Sequence, residues 1–392
     1  FYPRWSPTLM LGYGYPVFNF YAPSTYYLAE LLHLLGFSFY TAFLLSFALL
    51  ILLAGFGMWC FARESFGAAQ PWATLVAAIA YMYGPYLFMN VFISGALAAS
   101  GAQALLPWIF WSIRRLLGAK QPAVYVLPVA LTLGGLAVTH NLTLIFLPPL
   151  LIIYITIRWW QLGRNFSALR WMVLALAMAM GVSAFFWLPL LVEQAYLADT
   201  VRIISETALL PRSFWTWHNF LDWGFTYSHN FDRPIRLGLV QVALGVLGFV
   251  LARRRDAEWL FWGGVALFTS LLMGSWALPL WLNNPVLSVT QFPWRLLAVT
   301  SLPLALFAGG IVPKIWSERR VSGQACHDDM APRVGASLTA YPTAWWQVGS
   351  ALVLLGVIIF AQQPRLSWMD VFAPSGTDVT LPVFAQVEVD KG

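Results

Sequence analysis

Residues 122–157 read PAVYVLPVALTLGGLAVTHNLTLIFLPPLLIIYITI, and the way they fold decides the topology of the whole chain. The stretch is apolar almost throughout, and crossing a bilayer core of about 30 Å takes roughly 20 such residues. It can therefore form one long helix or two shorter ones. Gly134, Gly135 and the polar triplet at 139–141 allow a turn in the middle. We predict two helices joined at that triplet.

The composition of the chain places it in a membrane. It is 60% hydrophobic and only 10% charged, with a mean hydropathy of +0.70, whereas soluble domains carry about 25% charged residues. The long apolar runs are unlike the short alternating segments of a β-barrel, so the backbone must be helical in lipid. We predict an all-α polytopic transmembrane helical bundle of about ten spans. The predicted spans are 37–61, 69–89, 96–117, 122–139, 141–157, 169–191, 237–252, 258–281, 296–315 and 345–361.

The basic residues support the split and orient the bundle. Cytoplasmic loops of membrane proteins are enriched in Lys and Arg, and with two helices in 122–157 every short loop on one side is basic. A single helix would move the triplet Arg253–Arg255 to the other side. Segments 1–36 and 192–236 then face outward, and the net charge of +6 gives no reason to expect nucleic acid. The loops assigned to the cytoplasm hold Arg63, Arg114, Arg115, Lys120, Arg158, Arg164, Arg170, Arg253, Arg254, Arg255, Lys314, Arg319, Arg320 and Arg333.

Three parts follow from this topology. Residues 1–36 form an outer loop, 37–361 the transmembrane domain, and 362–392 the start of an external segment with β-strand character. In the outer loop, the aromatic stretch 11–27 is interrupted by Gly and Pro, so we expect it to be non-helical. A short amphipathic helix follows from Ser24 to Leu35.

Polar residues of unusual type gather at the predicted outer ends of the helices. Glu193 ends an apolar run, where a carboxylate needs a partner unless it is simply exposed to water. Arg295, with Gln291 and Trp294 beside it, suits a lipid phosphate, although an interfacial anchor has the same composition.

The turn at the tip of the predicted hairpin offers His140 and Asn141. A histidine there can bind phosphate or move a proton, or it can only satisfy the backbone of the turn. The first outer loop adds aromatic and polar side chains able to contact a substrate, with an aromatic interfacial belt as the alternative. Within it, Glu30 and His33 share a helix face. These candidates are Arg4, Tyr13, Tyr15, Asn19, Tyr21 and Glu30.

No cofactor or metal site is predicted. The chain contains no Gly-rich phosphate loop, CxxC pair, HExxH or GxSxG motif. Four residues of the long outer loop are of metal-binding type, but their spacing matches no standard site. The tryptophans interleaved with them indicate an interfacial segment instead. Those four residues are His218, Asp222, His229 and Asp232.

Five stretches together resemble a bacterial family of membrane proteins described as 6-pyruvoyl-tetrahydropterin synthase-related. The resemblance covers most of residues 1–315, and no zinc-binding histidine set accompanies it to support pterin chemistry. The stretches are RWSPTLMLGYGYPVFNFYAPSTYYLAELLHLLG (4–36), GALAASGAQALLPWIFW (95–111), THNLTLIFLPPLL (139–151), SAFFWLPLLVE (183–193) and QFPWRLL (291–297).

That family is similar to the GT-C superfamily of polytopic glycosyltransferases, which implies an outward-facing active site in the bacterial cytoplasmic membrane. It also implies a polyprenyl-phosphate-linked sugar as donor, membrane lipids as surroundings, and a catalytic Asp or Glu in the first outer loop. No aspartate precedes Asp199, and the chain opens at Phe1 in a loop-like segment. We therefore expect a missing upstream helix that carries the catalytic acid, with Glu193 as the candidate within the chain. A flippase of lipid-linked glycans and a non-catalytic scaffold are the alternatives.

Overall fold

A computed structural model describes residues 4–193, 213–216, 237–252, 256–312 and 345–360. These residues form helices and turns, and no β-strand occurs in the ranges given, which confirms the all-α prediction. The helices are α1 Val17–Phe20, α2 Ser24–Leu34, α3 Phe39–Phe66, α4 Pro71–Met82, α5 Pro85–Phe88, α6 Leu97–Gly118, α7 Val126–Ala137, α8 Asn141–Gln161, α9 Phe166–Glu193, α10 Leu239–Leu251, α11 Ala257–Met273, α12 Leu278–Asn283, α13 Pro285–Val289, α14 Leu297–Gly309 and α15 Trp345–Phe360.

Four helical segments are long and apolar enough to cross a membrane, and five shorter apolar helices accompany them. Large apolar side chains on α3 and α9 are exposed, among them Phe56, Val173 and Val192. In a membrane protein such side chains face lipid, so the membrane location is supported. The four long segments are Phe39–Phe66, Pro71–Phe92, Asn141–Gln161 and Phe166–Glu193. The total of about ten crossings and the side that faces the cytoplasm stay predictions.

The stretch 122–157 is split where the sequence predicted. Helix α7 ends at Ala137 and α8 begins at Asn141. The glycines play a different part from the one expected, because Gly134 lies inside α7. A Cβ added there would come within 3.0 Å of the carbonyl oxygen of Ala179. Gly134 therefore permits close packing of α7 on α9, and the turn depends on the polar residues that follow.

The prediction that stretch 11–27 is non-helical was wrong. One helical turn covers Val17–Phe20, and Ser24–Leu34 forms the predicted amphipathic helix. Pro16 and Pro23 occupy the N-cap positions of these helices. A proline at a helix start costs little because the backbone N–H it lacks would have no partner inside the helix.

Two helix boundaries also differ from the predicted runs. Helix α3 continues beyond residue 61 to Phe66, and its extra turn carries Arg63 and Glu64. The run 258–281 is interrupted at Gly274, where α11 ends and a 3-10 turn leads into α12. The predicted boundaries follow the changes in hydropathy along the sequence. The helices themselves end where a residue can cap the last backbone groups.

The helices alternate in direction, so their termini meet in two groups at opposite ends of the bundle. One group, the Arg295 end, joins α2, the α7–α8 turn, the end of α9 and the 3-10 turn Pro293–Leu296. The other, the Glu258 end, joins the ends of α3, α6 and α8 to the start of α11. Between them lies a buried aromatic core, in which the rings of Phe110 and Trp262 are 4.8 Å apart.

Candidate functional site

The segment 4–36, predicted to be the first outer loop and called so below, is attached to the end of α9 through Glu193. One carboxylate oxygen lies 3.4 Å from Nη1 of Arg4, and the other accepts a hydrogen bond from Nδ2 of Asn19. The loop reaches this position because Ser6 and Tyr15 exchange two backbone hydrogen bonds of 2.9 Å. Three predicted site residues, distant in sequence, are thus brought into contact, and the carboxylate has the partner that its position requires.

Arg295 lies in the 3-10 turn that leads into α14. Its Nη1 donates to the carbonyl oxygen of Thr290 at 2.7 Å and to Oε1 of Gln291 at 3.0 Å. The guanidinium carbon lies 5.2 Å from the ring centre of Phe292 and 5.9 Å from that of Trp294. Within the described ranges no carboxylate pairs with this partly buried cation. The site therefore holds an oriented guanidinium whose charge is not neutralised by the residues around it.

His140 caps the start of α8 and lies close to Arg295. Its Nδ1 accepts a hydrogen bond from the backbone N–H of Thr143 at 3.2 Å and lies 2.7 Å from the Thr143 hydroxyl oxygen. Burial lowers the pKa of His140, and together with the positive charge of Arg295 brings it to about 4. The imidazole is therefore neutral at pH 7. Since Nδ1 accepts, the proton is on Nε2, which can donate a hydrogen bond.

Tyrosines connect the two halves of this end. The hydroxyl groups of Tyr86 and Tyr21 lie close enough to Arg295 to interact with it electrostatically. The Tyr86 ring is 6.4 Å from that of Trp294, and the Tyr21 ring is 5.8 Å from that of Tyr26. Tyr21 thus brings the first outer loop near Arg295, and the rings of Phe292 and Trp294 lie beside the guanidinium.

Helix α2 is fixed against the hairpin tip. The backbone N–H of Ser24 donates to the carbonyl oxygen of Val138 at 3.0 Å, and the Ser24 and Thr139 hydroxyls lie 2.6 Å apart. Gly101 of α6 allows this packing, because a Cβ there would approach the methyl groups of Thr139 and Thr25 to 2.8 Å. The motif GALAASGAQALLPW therefore contributes close packing at this end.

Some of the buried polar atoms that have no partner within the described residues belong to α1, α2 and α6. Within the described part of the chain, Oδ1 of Asn19, Oγ1 of Thr25 and both amide atoms of Gln103 have no hydrogen-bond partner. Gln103 is fully buried. Such orphans cost free energy and in native proteins point to bound water, ligand or function. Sequence reasoning missed Thr25 and Gln103, although a glutamine inside an apolar run was a visible signal.

Other predicted site residues are not brought into this group. Tyr13 is 87% exposed, Glu30 is exposed, and Oδ1 of Asn141 accepts from the backbone N–H of Leu142. Nδ1 of His33, which shares a face of α2 with Glu30, lies 2.8 Å from the Phe37 carbonyl oxygen. Tyr15 contributes its backbone to the loop. The metal-type residues His218, Asp222, His229 and Asp232 lie outside the described residues, within which no cluster of three potential ligands occurs.

A second polar cluster, which sequence reasoning missed, lies at the Glu258 end. The buried Glu258 carboxylate pairs with Arg114 through one oxygen and with Nη1 of Arg158 at 3.2 Å through the other. The hydroxyl of Tyr154 donates to it at 3.1 Å. The loop positions predicted for both arginines are wrong, because Arg114 lies inside α6 and Arg158 lies in the last turn of α8. The carboxylate of Glu258 from α11 compensates for their burial.

Comparison with known proteins identifies the family. A profile described as "6-pyruvoyl-tetrahydropterin synthase related domain; membrane protein" matches residues 18–367. A protein of Lactococcus lactis subsp. cremoris (strain MG1363), described as an uncharacterized protein, is 23% identical over 195 residues, which is 48% of this chain. The aligned part makes up 31% of that relative's own length. No solved structure matches the chain. The chain is a member of the 6-pyruvoyl-tetrahydropterin synthase related family of membrane proteins.

Proposed function

We propose that this protein is a GT-C-like glycosyltransferase that transfers a sugar from a polyprenyl-phosphate donor on the outer face of the bacterial cytoplasmic membrane. The observation that carries the proposal is Arg295, a partly buried, oriented guanidinium with no carboxylate partner among the described residues. A buried cation without a counter-charge is costly. An anionic ligand at the membrane surface removes that cost, and the phosphate of a lipid-linked sugar is such a ligand.

The neighbours of Arg295 suit the departure of a phosphate. In sugar transfer, the bond between the anomeric carbon and the phosphate oxygen breaks while the acceptor oxygen forms a new bond to that carbon. Negative charge then grows on the phosphate. Arg295 and the Nε2–H of neutral His140 both supply positive electrostatic potential for it. The aromatic faces around the guanidinium offer surfaces on which a sugar ring can stack.

Glu193 has a different role in this proposal. Its two carboxylate oxygens are engaged by Arg4 and Asn19, so its contacts hold the chain rather than face a substrate. We assign it to positioning the first outer loop. The acceptor proton then goes to a catalytic Asp or Glu of the first outer loop, as the GT-C resemblance implies.

The test uses membranes that carry the full-length protein and radiolabelled polyprenyl-phosphate sugars. Product should form with the wild type and fall by about a hundredfold or more in Arg295→Gln, the typical effect of removing one transition-state donor. Arg164→Gln is the matched control, since Arg164 is exposed, lies 3.8 Å from the ring centre of Trp160 and is remote from the Arg295 end. Label that changes leaflet without product identifies a flippase instead. No product and no movement with any donor leaves a scaffold.

A further inference from the structure

A cleft of about 420 Å³ lies at the Glu258 end, between the last turns of α3 and α6. Its lining includes Trp59, Arg63 and Glu64 from α3 and Trp111 and Arg115 from α6. Two arginines against one glutamate give the cleft a net charge of +1. It is open to the surface, and no part of the proposed sugar-transfer site contributes to it.

Neighbouring side chains orient the two arginines, but part of the hydrogen-bonding capacity of their guanidinium groups is unused among the described residues. Arg115 contacts Glu64 through its Nε at 3.1 Å and lies 5.8 Å above the ring of Tyr125. This geometry leaves its two terminal nitrogens free of acceptors among the described residues. The Arg63 guanidinium carbon lies 5.1 Å from the ring centre of Trp59, and Arg63 forms no ion pair within the described part of the chain. The cleft thus presents fixed N–H donors of the kind that bind phosphate oxygens.

An aromatic wall leads from the cleft along the lipid-facing surface. The rings of Trp59 and Phe56 stack at 5.8 Å, Phe56 meets Trp108 at 5.4 Å, and Trp108 meets Trp111 at 5.6 Å. Phe56 is 57% exposed. Trp108 also donates to the Leu53 carbonyl oxygen at 2.9 Å, which fixes α6 against α3. Tryptophans favour the level of the lipid headgroups, so the phosphate-binding groups and the apolar wall are arranged as a phospholipid is.

We propose that this cleft binds an anionic phospholipid, with the headgroup phosphate between Arg63 and Arg115 and an acyl chain along the wall of Trp59, Phe56, Trp108 and Trp111. The net positive charge selects an anionic lipid over a zwitterionic one. The apolar wall selects a lipid over a free anion, which has nothing to place there. The bound lipid would fix the ends of α3 and α6 at the membrane surface.

The test is native mass spectrometry of the purified full-length protein with phosphatidylglycerol or phosphatidylcholine. We expect one retained phosphatidylglycerol in the wild type and in Arg164→Gln, the control in which an exposed arginine on a tryptophan lies outside the cleft. In the Arg63→Gln/Arg115→Gln double variant its affinity should fall about twenty- to thirtyfold, from roughly fivefold per arginine at a membrane surface. Equal retention in the double variant and the control overturns the proposal.

Two further arms make the result specific. Phosphatidylcholine that competes equally overturns the charge selectivity, and inorganic phosphate that displaces the lipid at millimolar concentration makes the cleft a site for a free anion.

A measurement on the unmutated protein avoids any loss of folding in the double variant. Cys60 lines the cleft, so bound phosphatidylglycerol should slow its labelling by a maleimide, followed on the Cys60 peptide. Labelling at the same rate in both lipids contradicts the proposal.

Discussion

Replacing Glu258 with glutamine should destabilise the bundle more than any other isosteric change at the Glu258 end. The side chain is 4% exposed, and its arginine partners Arg114 and Arg158 are 12% and 14% exposed. Glutamine keeps the shape and can still accept from Tyr154, but it removes the negative charge that lies between two partly buried cations. The perturbation therefore changes electrostatics and leaves the packing nearly intact.

The magnitude follows from burial and distance. Unit charges 3.2 Å apart, as in the Arg158–Glu258 pair, attract each other by about 5 kcal/mol at an effective dielectric constant of about 20. Much of this attraction offsets the desolvation of the charges. Removing one partner of a buried pair leaves that desolvation cost uncompensated and typically costs about 3–5 kcal/mol. We expect the free energy of unfolding to fall by that amount.

The assay is equilibrium unfolding of the purified protein in mixed detergent and SDS micelles, followed by circular dichroism. Glu64→Gln is the matched control, because Glu64 pairs with Arg115 at 3.1 Å while the two side chains are 27% and 45% exposed. Such exposed pairs contribute about 0–1 kcal/mol. If the Glu258 and Glu64 variants lose equal stability, the reasoning fails.

A triple variant sharpens the same test. Changing Glu258, Arg114 and Arg158 together to methionine removes the charges along with the cost of burying them. Well-packed apolar replacements of buried ion networks are often neutral or stabilising. The triple variant should therefore be more stable than Glu258→Gln alone, and a lower stability would show that packing at this position outweighs charge.

Three further predictions concern other elements, and the first two use the same unfolding assay. His140→Ala should lose about 1 kcal/mol with the N-cap of α8, whereas His140→Asn should retain the cap. Because the folded pKa of His140 is about 4 and its ordinary value is 6.5, its stabilisation is complete above pH 6.5 and declines as the pH falls towards 4. His140→Asn should abolish that part of the pH dependence, and a slope unchanged in this variant contradicts the assignment. Gly248→Ala should cost more than about 1 kcal/mol by overpacking, since the new Cβ would come within 1.7 Å of the Phe307 carbonyl oxygen; Gly264→Ala, with nothing within 4 Å, is its control. Asn19→Ala should speed amide hydrogen exchange in α1 by removing its contact with Glu193, and exchange at the wild-type rate would show that the loop is held elsewhere.

Hydropathy predicted where the helices are because lipid requires long apolar segments with satisfied backbones. The split in 122–157 was predictable for other reasons, the polar triplet at 139–141 and the distribution of basic residues among the loops. The partners of a polar residue were less accessible. Glu258 and Arg158 are 100 residues apart in the chain, and no local sequence pattern indicates that α8 and α11 bring them together.

In the candidate site too, contacts within one motif could be predicted and contacts between distant segments could not. Gln291, Trp294 and Arg295 lie within five residues of one another, so their contact could be predicted from the motif QFPWRLL. The proximity of His140 to Arg295 required the packing of α8 on the 3-10 turn before α14. Glu30 is a carboxylate, as the predicted site requires, but it lies on the surface. The sequence of this short helix does not indicate which of its faces packs against the rest of the protein.

The contact between Asn19 and Glu193 ties the first outer loop to the register of α9. The two residues are 174 positions apart, and Glu193 is the last residue of that helix, one turn beyond Pro189. Inserting a single residue into α9 before Glu193 would rotate the carboxylate by about 100° around the helix axis and advance it by about 1.5 Å. Both Asn19 and Arg4 would then lose their partner. The position of the first outer loop thus depends on the length of α9 to within a single residue, even though the membrane would tolerate a longer helix.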